Sequence, residues 1–368
     1  MYTNTRDLLN SVGVPNAALR RNSVALVDQL AITTGQTVYP IFTGTLSQFV
    51  RNLSFPMTGD TIFALIGLKL FVENLFTTTT DLIELMQNSY LSIMVGQKLQ
   101  LNIPGAKILN FIAADTIGVS PAVANFNKRF FGKYKKFFNP IILNQSSTVQ
   151  INFVTSSTAA TDLNGKKIDV VFDALQSISG DPAFVYMPQQ GNMFQDIDFT
   201  LWNTVSIGTA NQYTFPLFTD NTLAPNKMSL NLPLPADMRF ELQNIEVFFI
   251  SDAVASQAET LDKIYYNRLH NQLNISVNQT LLYYSDIQEM INIITEYANV
   301  AFDDNAGTPV ATDLTSFEAL LQSKTLEIPV LFPATGLVNV SLTQPGSSLN
   351  NGELLTVCLN GTVKRTVN

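Results

Sequence analysis

Short stretches in which apolar and polar residues alternate recur along the 368-residue chain. "LSIMVGQKLQL" at 91–101 alternates in this way, and "LNISVNQTLLY" at 273–283 does so more cleanly. A period of two places successive side chains on opposite faces of a sheet, so both stretches are predicted to be strands. Asn-Gly pairs at 164–165 and 351–352 supply turns between stretches of this kind. The pattern therefore predicts a largely β protein.

The strand-like stretches occur in two sets, in the same order along the chain. The matched pairs are 39–42 with 215–218, 54–57 with 231–234, 68–72 with 245–249, 91–101 with 273–283, 139–143 with 328–332, 149–153 with 338–342, and 163–167 with 350–354. The offset changes slowly, from 176 between Pro40 and Pro216 to 189 between Pro140 and Pro329. Loop insertions produce such drift, so the sequence predicts one domain written twice in tandem.

The repeat sets the predicted domain bounds. They are an N-terminal arm at 1–24, a first copy at 25–190 and a second copy at 191–368. Each copy holds about eight predicted strands, which favours a sandwich of two antiparallel sheets. Prolines within several strands indicate sheet edges or strand starts, because proline lacks the ladder N–H donor.

Two helical patches are predicted in each copy. The first patch is 77–90, matched by 251–269, and the second is 120–138, matched by 312–326. Ser120 followed by Pro121, like the other starts, has the residue types that begin helices.

Charged residues make up 14% of the chain, against roughly 25% in an average soluble domain. Lys and Glu are depleted where interfaces close, so this composition suits a surface covered by neighbours. A secreted β protein with a neutral surface would have a similar composition. The net charge of −8 provides no overall basic footprint for nucleic acid.

The residues that catalysis usually needs are scarce. The single histidine, His270, cannot supply the cluster of histidines that a cupin-type metal site requires. The single cysteine, Cys358, lies in the apolar stretch "LLTVCLNG", where a buried thiol is expected rather than a nucleophile. We therefore expect no enzyme activity and no cofactor.

Two carboxylate pairs are candidate calcium ligands. They are Asp196 with Asp198, on one strand face, and Asp303 with Asp304 in "FDDNAG". Neither pair matches a spaced calcium loop, so solvated positions are expected and no metal site is predicted.

One charged stretch stands out, "NKRFFGKYKKFF" at 127–138. It carries five cations interleaved with aromatic residues, namely Lys128, Arg129, Lys133, Lys135 and Lys136. As a helix it suits an anionic membrane surface, or nucleic acid as the other candidate, while an ordinary solvated helix with its Phe side chains in the core is equally compatible. The N-terminal arm, with Arg6, Arg20 and Arg21, has no counterpart in the second copy.

With its tandem repeat, eight-strand sandwiches and a helix before the seventh strand of each copy, the chain resembles the double jelly-roll major capsid proteins of tailless icosahedral viruses with an internal membrane. Among them it looks most like the coat proteins of small membrane-containing bacteriophages. The resemblance implies an all-β fold with short inserted helices, made of two tandem eight-stranded jelly-roll β-sandwiches. It covers nearly the whole chain, from about residue 25 to the C-terminus.

The resemblance also implies partners and location. Three chains form a homotrimer of pseudo-hexagonal outline, trimers tile a shell, and the N-terminal end faces inward. Penton and minor capsid proteins and the inner viral membrane would be further partners, with no small-molecule substrate. The protein would be assembled in the host cytoplasm and reside in the virion.

Two other functions remain open from the sequence. A virion spike or lectin-like receptor-binding protein could use the aromatic-rich stretch 181–194 for recognition. A glycan-active enzyme would need paired carboxylates across a cleft.

Overall fold

The computed structural model consists almost entirely of β-strands. It describes residues 22–47, 50–57, 61–72, 85–108, 111–114, 129–132, 135–143, 148–178, 194–207, 214–219, 228–251, 271–287, 290–295, 323–343 and 353–366. No helix among these residues is long and apolar enough to cross a membrane.

The first half of the chain contains, in its described part, ten strands, two short helices and a helical turn at 85–87. The strands are β1 Asn22–Ala31, β2 Val38–Ile41, β3 Thr61–Val72, β4 Ser89–Val95, β5 Lys98–Pro104, β6 Phe111–Ala114, β7 Arg129–Gly132, β8 Lys135–Leu143, β9 Val149–Thr155 and β10 Lys167–Ile178. The helices are α1 Gly105–Ile108 and α2 Ser157–Asp162.

The described part of the second half contains nine strands. They are β11 Phe194–Ile207, β12 Thr214–Leu217, β13 Met238–Ser251, β14 Gln272–Val277, β15 Thr280–Asp286, β16 Ile291–Thr295, β17 Lys324–Phe332, β18 Val338–Thr343 and β19 Glu353–Thr366.

Each half pairs its strands into two sheets with the same connectivity. The first half forms β1–β10–β3–β8 and β2–β9–β4–β5, and the second forms β11–β19–β13–β17 and β12–β18–β14–β15. When the eight principal strands of each half are numbered along the chain, both halves read 1-8-3-6 and 2-7-4-5. This is the jelly-roll connectivity, so the predicted fold of two tandem jelly rolls is confirmed. Along the sequence, the additional strands β6, β7 and β16 all come between the fifth and sixth principal strands of their half.

The repeat extends to individual hydrogen bonds. Phe42 N–H donates to Asp28 Oδ2 at 2.6 Å, and Phe218 N–H donates to Asn203 Oδ1 at 2.8 Å. Both phenylalanines have a positive φ, 60° and 61°, which is unusual for a residue with a Cβ. The buried side-chain acceptor one strand earlier holds this backbone position in each copy. The offset here is 203 − 28, or 175.

Irregularities in strand pairing repeat as well. The β4–β5 register shifts between Ile93 and Met94, and the β14–β15 register shifts between Ile275 and Ser276, 182 residues later. One extra residue on a strand bends it locally, and a bulge is a specific feature rather than a common default. The two sandwiches therefore share both their strand order and this register shift.

The alternation seen in the sequence sets the two cores. Every second residue is buried from Ser89 to Ile93 of β4 and throughout β14, and Leu91, Ile93, Leu273 and Ile275 are fully inaccessible. These side chains face the inside of their sandwiches, while their neighbours point outward. Burial of the apolar face is the main term that stabilises each sandwich.

The helix predicted at 120–138 is wrong over its described residues. β7 and the start of β8 occupy 129–132 and 135–138, and β8 pairs with β3 through Lys135 to Leu68 and Lys136 to Gly67. Lys136 is exposed and Phe137 is buried, the alternation of a strand. Interleaved aromatic and basic residues fit either structure. The segment forms strands and not a helix because it pairs with the edge of β3.

Other sequence predictions are corrected or lie outside the described residues. The segments 54–57 and 231–234 are loops, with cis peptide bonds before Pro56 and Pro233, and not strands. Of the other helical patches, 85–87 is helical, but 89–90, 251 and 324–326 belong to β4, β13 and β17. Residues 88 and 323 lie in neither a helix nor a strand. The remaining parts of those patches, and Arg6, Arg20 and Arg21 of the arm, lie outside the described residues.

Candidate functional site

The two sandwiches meet through a defined junction. β11 packs against β5 and β8, and α1 packs against β13. β5 and β8 are the edge strands of the two sheets of the first sandwich, on the same side of it. The outer face of the β11–β19–β13 sheet covers them. The contact is therefore between an edge of one sandwich and a sheet face of the next.

A charged cluster lies at the centre of the junction. Lys107 Nζ of α1 lies 2.6 Å from Glu246 Oε2 of β13, and the Lys107 side chain is only 8% exposed. The Asn360 amide donates to Glu246 Oε2 at 2.9 Å, and Asn360 Oδ1 accepts from Lys107 and from Thr200 Oγ1. Buried charges are tolerated when they are paired and hydrogen-bonded, and this pair satisfies both conditions.

Lys135 of β8 brings a second cation to the same place. The neighbouring Lys107 ammonium and burial together lower the pKa of Lys135 to about 8, although Glu246 and Asp198 act in the opposite direction. Burial alone would raise the pKa of Glu246, but Lys107, Lys135 and the Asn360 hydrogen bond lower it overall. Two cations from the first sandwich thus face one main anion from the second.

An apolar contact lies beside the charges. Trp202 of β11 is fully buried, its Nε1–H donates to Asn102 Oδ1 at 3.1 Å, and its ring lies 6.1 Å from that of Tyr90. Phe248 and Cys358, both from the second half of the chain, pack with Trp202 in the hydrophobic core of the first sandwich. Burial raises the pKa of the Cys358 thiol to about 12, so it has no reactive thiolate at neutral pH.

The second sandwich has the same edge, but there it is exposed. The residues of β5 and β8 that approach the junction include Leu99, Gln100, Asn102 and Asn139. Their counterparts in β15 and β17, at offsets of 182 and 189, are Leu281, Leu282, Tyr284 and Ile328. These four side chains, which we call the edge face, are 57%, 48%, 57% and 82% exposed.

The first sandwich has the matching sheet face. The residues Trp202, Glu246, Phe248 and Cys358 of the junction correspond, at offsets of 175, 177, 177 and 187, to Val27, Lys69, Phe71 and Val171. We call these four the outer sheet face. All four are half-buried, and Lys69 Nζ lies 5.0 Å from the centre of the Phe71 ring.

The predicted basic stretch is divided by the structure. Lys135 faces the junction, Lys136 is exposed, and Arg129 lies in β7, while Lys128 and Lys133 lie outside the described residues. Lys135 is therefore not part of a solvent-facing basic surface, because the strand places it beside Lys107.

β7 and the first residue of β1 also lie apart. Asn22, where β1 begins, is level with Gln176 and Phe63, whereas β7 pairs with β3 at Phe71 and Val72. Eight residues of strand separate Phe63 from Phe71, about 26 Å. β7 and the start of β1 are therefore at opposite ends of the sheet.

Asp196 and Asp198 of β11 line a small crevice at the junction with Gln100 and Asn139. Within the described part of the chain, no three His, Cys, Asp or Glu side chains come together as metal ligands would. His270, Asp303 and Asp304 lie outside the described residues.

No protein-family model matches the chain, and no curated protein matches it. Among solved structures, VP54 of PBCV-1, fitted into a reconstruction of the virophage Sputnik, is 10% identical with a TM-score of 0.41, covering 96% of this chain and 97% of that one. The Faustovirus major capsid protein is 8% identical, with a TM-score of 0.36 and coverage of 96% and 92%. PNGase F, a glycosylasparaginase from Flavobacterium meningosepticum, is 10% identical, with a TM-score of 0.29 and coverage of 94% and 96%. At these identities none of the three defines an activity for this chain.

The junction residues were missed by sequence reasoning. Lys107 lies in the short α1, Glu246 and Asn360 lie on strands that carry other polar residues, and Trp202 is the single tryptophan of the chain. Polar residues on the outward face of a strand look like ordinary solvent-facing positions. A signal was present in the repeat itself, because the counterparts of Trp202 and Glu246 are Val27 and Lys69, a difference that marks the two sheet faces as unequal.

Proposed function

We propose that this chain is a major capsid protein, which self-assembles as homotrimers into the icosahedral shell of a virion. One observation carries the proposal: the edge-to-sheet contact between the two sandwiches can be repeated between chains. The edge face of the second sandwich, which is exposed, and the outer sheet face of the first, which is half-buried, are the two surfaces that such a repeat requires.

Symmetry explains why the repeat would give a trimer. A head-to-tail contact builds a ring when its rotation closes. Each chain supplies two similar sandwiches, so three chains place six around the ring. Six similar units fill a site in a hexagonal lattice, the arrangement expected of a shell subunit. The junction favours this role, since its buried ion pair and the Trp202 contact fix the two sandwiches in one relative orientation.

The proposed activity is assembly, and we propose neither catalysis nor a cofactor. The low fraction of charged residues supports a surface that neighbouring chains cover. The buried Cys358, with its raised pKa, is a packing residue at the junction. In this role the protein resides in the virion and is assembled in the host cytoplasm. It contacts penton and minor capsid proteins at the positions where the hexagonal lattice of trimers is interrupted.

For the finer assignment, a bacteriophage shell around an internal membrane, we propose that the end of the sandwich at which β1 begins faces the lipid. This follows the inward N-terminal end that the resemblance implies. Since β7 lies at the opposite end of the sheet, the basic stretch would then not contact the same membrane.

The membrane assignment can be tested by flotation with anionic liposomes. Replacing Arg6, Arg20 and Arg21 with Gln should reduce flotation, because each cation near acidic lipid contributes about 1 kcal/mol. Replacing Lys133 and Lys136 with Gln should leave it unchanged. The reverse pattern would show that the basic stretch, and not the arm, contacts the membrane. If the parent protein does not bind the liposomes, the proposal of a membrane contact is wrong.

The capsid assignment is tested by copy number and mass. Quantitative proteomics of purified virions should find hundreds of copies of this chain, and native mass spectrometry of the soluble protein should find a trimer of about 122 kDa, three times 40.6 kDa. Tens of copies per virion, with binding to cells or glycans, would instead indicate a spike or receptor-binding protein.

A further inference from the structure

An amine, a carboxamide and a carboxylate meet at the centre of the junction. Lys107 Nζ donates a hydrogen bond to Asn360 Oδ1 and lies 2.6 Å from Glu246 Oε2. The same carboxylate oxygen accepts from Asn360 Nδ2 at 2.9 Å. A carbonyl bond is about 1.23 Å long, so the hydrogen bond keeps Lys107 Nζ within about 4 Å of Asn360 Cγ. This is close to the separation of about 3–3.5 Å at which bound groups react.

The second sandwich holds the Asn360 carboxamide in one orientation. Asn360 lies opposite Asn244 at the irregularity in the β13–β19 pairing, and its Nδ2 also donates to Asn244 Oδ1 at 3.0 Å. Thr200, opposite Asn360 on β11, donates from Oγ1 to Asn360 Oδ1 at 2.9 Å. A donor aimed at a carbonyl oxygen stabilises negative charge that develops there during attack on the carbon.

A jelly-roll sheet does not require these residues. The first sandwich has the same irregularity in its β3–β10 pairing. In order along the chain, the residues there that are equivalent to Thr200, Asn244, Glu246 and Asn360 are Ala25, Gly67, Lys69 and Asp173. The first sheet thus forms without the threonine, the glutamate or either carboxamide, and the polar set is specific to the junction side of the second sandwich.

We propose that Lys107 and Asn360 react to form an isopeptide bond within the chain, with Glu246 transferring the protons. The bond joins α1 of the first sandwich to β19 of the second and so makes the junction covalent. It is a single self-modification of the folded chain, with no external substrate, and it does not depend on the proposed function, because all three residues belong to one chain.

The reaction exchanges one carbon–nitrogen bond for another. Glu246 accepts a proton from the Lys107 ammonium, and the freed lone pair of Nζ attacks Asn360 Cγ while the C=O electron pair moves to Oδ1. Glu246 donates its proton to Nδ2 and accepts a second proton from Nζ. The Cγ–Nδ2 bond breaks as the carbonyl re-forms, and the ammonia that leaves takes the proton from Glu246. The products are a secondary amide and ammonium, the carboxylate is restored, and nothing is oxidised or reduced.

Burial favours the first proton transfer. The Lys107 side chain is almost inaccessible, and moving its proton to Glu246 replaces two charged groups by two neutral ones, which lowers their desolvation cost. Burial alone would raise the pKa of Glu246, but Lys107 and Lys135 lower it, so the ion pair is the resting form and the transfer is an activated step. The finished bond also removes one positive charge from a site where two lysines face one main anion.

Intact-mass spectrometry tests the bond directly. The full chain is expressed as inclusion bodies, dissolved in urea and refolded, so that the reaction starts when the two sandwiches meet. The refolded chain should lose the mass of one ammonia molecule with time, whereas the chain kept in urea should not. Trypsin digestion should then release a branched peptide that joins segment 99–128 to segment 325–364 through residues 107 and 360. The stability of the ion pair is measured before this reaction has proceeded.

Three variants assign the roles. Lys107→Arg keeps the cation but has no amine that can attack, so it should keep its full mass. Glu246→Gln should form the bond about a hundredfold more slowly or less, because proton transfer by a positioned side chain contributes about 10²–10⁴-fold. The matched control is Glu241→Gln, which removes the carboxylate that pairs with Lys364 on the same sheet, and it should lose ammonia at the parent rate. Circular dichroism checks that each variant is folded.

The Asn360–Gly361 pair has a second route to the same mass loss, closure of a succinimide ring by the Gly361 nitrogen. The paired strand hinders that closure, since Gly361 is packed so closely that a Cβ would lie 1.9 Å from Glu241 O. Loss of ammonia that persists in Lys107→Arg would indicate the succinimide and overturn the proposal. A refolded parent chain that keeps its full mass would also overturn it, and an unchanged rate in Glu246→Gln would refute the role of that carboxylate. None of these results bears on the capsid assignment, which copy number tests separately.

Discussion

Removing the negative charge at the junction should destabilise the protein measurably. Glu246→Gln keeps the shape of the side chain and one acceptor for Lys107, but leaves Lys107 and Lys135 without their main anion. At 2.6 Å and an effective dielectric constant of about 20, the lost attraction is on the order of 6 kcal/mol. The remaining hydrogen bond and partial rehydration recover roughly half. We therefore expect a loss of about 3 kcal/mol in the free energy of unfolding, the lower end of the range for broken buried pairs.

Trp202 is the reporter for this experiment. It is the single tryptophan, it is fully buried, and it lies at the same junction. Its fluorescence should therefore follow the separation of the sandwiches during urea titration at pH 7. Protein concentration must be equal in all samples, because assembly shifts apparent stability by mass action.

The matched control lies on the same strand. Glu241 of β13 pairs with Lys364 at 3.3 Å, and the side chains are 31% and 44% exposed. Glu241→Gln should cost less than about 1 kcal/mol, as exposed ion pairs do. If Glu246→Gln costs no more than Glu241→Gln, the buried cluster does not hold the sandwiches together and the reasoning is wrong.

Three further outcomes follow from the junction. Lys135→Gln should raise the free energy of unfolding at pH 7 by about 1–2 kcal/mol, because the charged lysine, whose folded pKa is lowered to about 8, destabilises the folded state. In the parent protein the free energy of unfolding should rise between about pH 8 and pH 10.5 as this lysine loses its proton, and in the variant that rise should be absent. Urea titrations at several pH values check both outcomes. Cys358 should resist maleimide in the native protein and react once per chain in urea, whereas rapid native labelling would contradict its burial. Trp202→Phe should lower stability by about 2 kcal/mol, since the Asn102 oxygen loses its donor, and a change below 0.5 kcal/mol in urea titration followed by circular dichroism would show that the hydrogen bond is not needed.

The tandem repeat could be predicted from the sequence because strand periodicity and proline placement are local. Pro40 lies in β2 and Pro216 in β12, and both strands pair on one side only, as a residue without an N–H donor requires. The alternation at Leu91 and Leu273 likewise reports the inner face of each sandwich directly.

The parts that were wrong or missed depend on long-range contacts. Residues 129–138 read as a helix because aromatic and basic residues recur at intervals that suit either structure. Pairing with β3 makes 129–132 and 135–138 strands. Lys107 and Glu246 are 139 positions apart, and no local pattern indicates that they meet. Only the completed fold brings them together.

Cryo-electron microscopy of the assembled particle tests the central claim most directly. The account predicts shell units of three chains, each unit a ring of six sandwiches, in which β15 and β17 of one chain lie against the β1–β10–β3 sheet of the next. Particles in which this chain occurs only as isolated projections, or shell units in which β15 and β17 remain exposed to solvent, would contradict it.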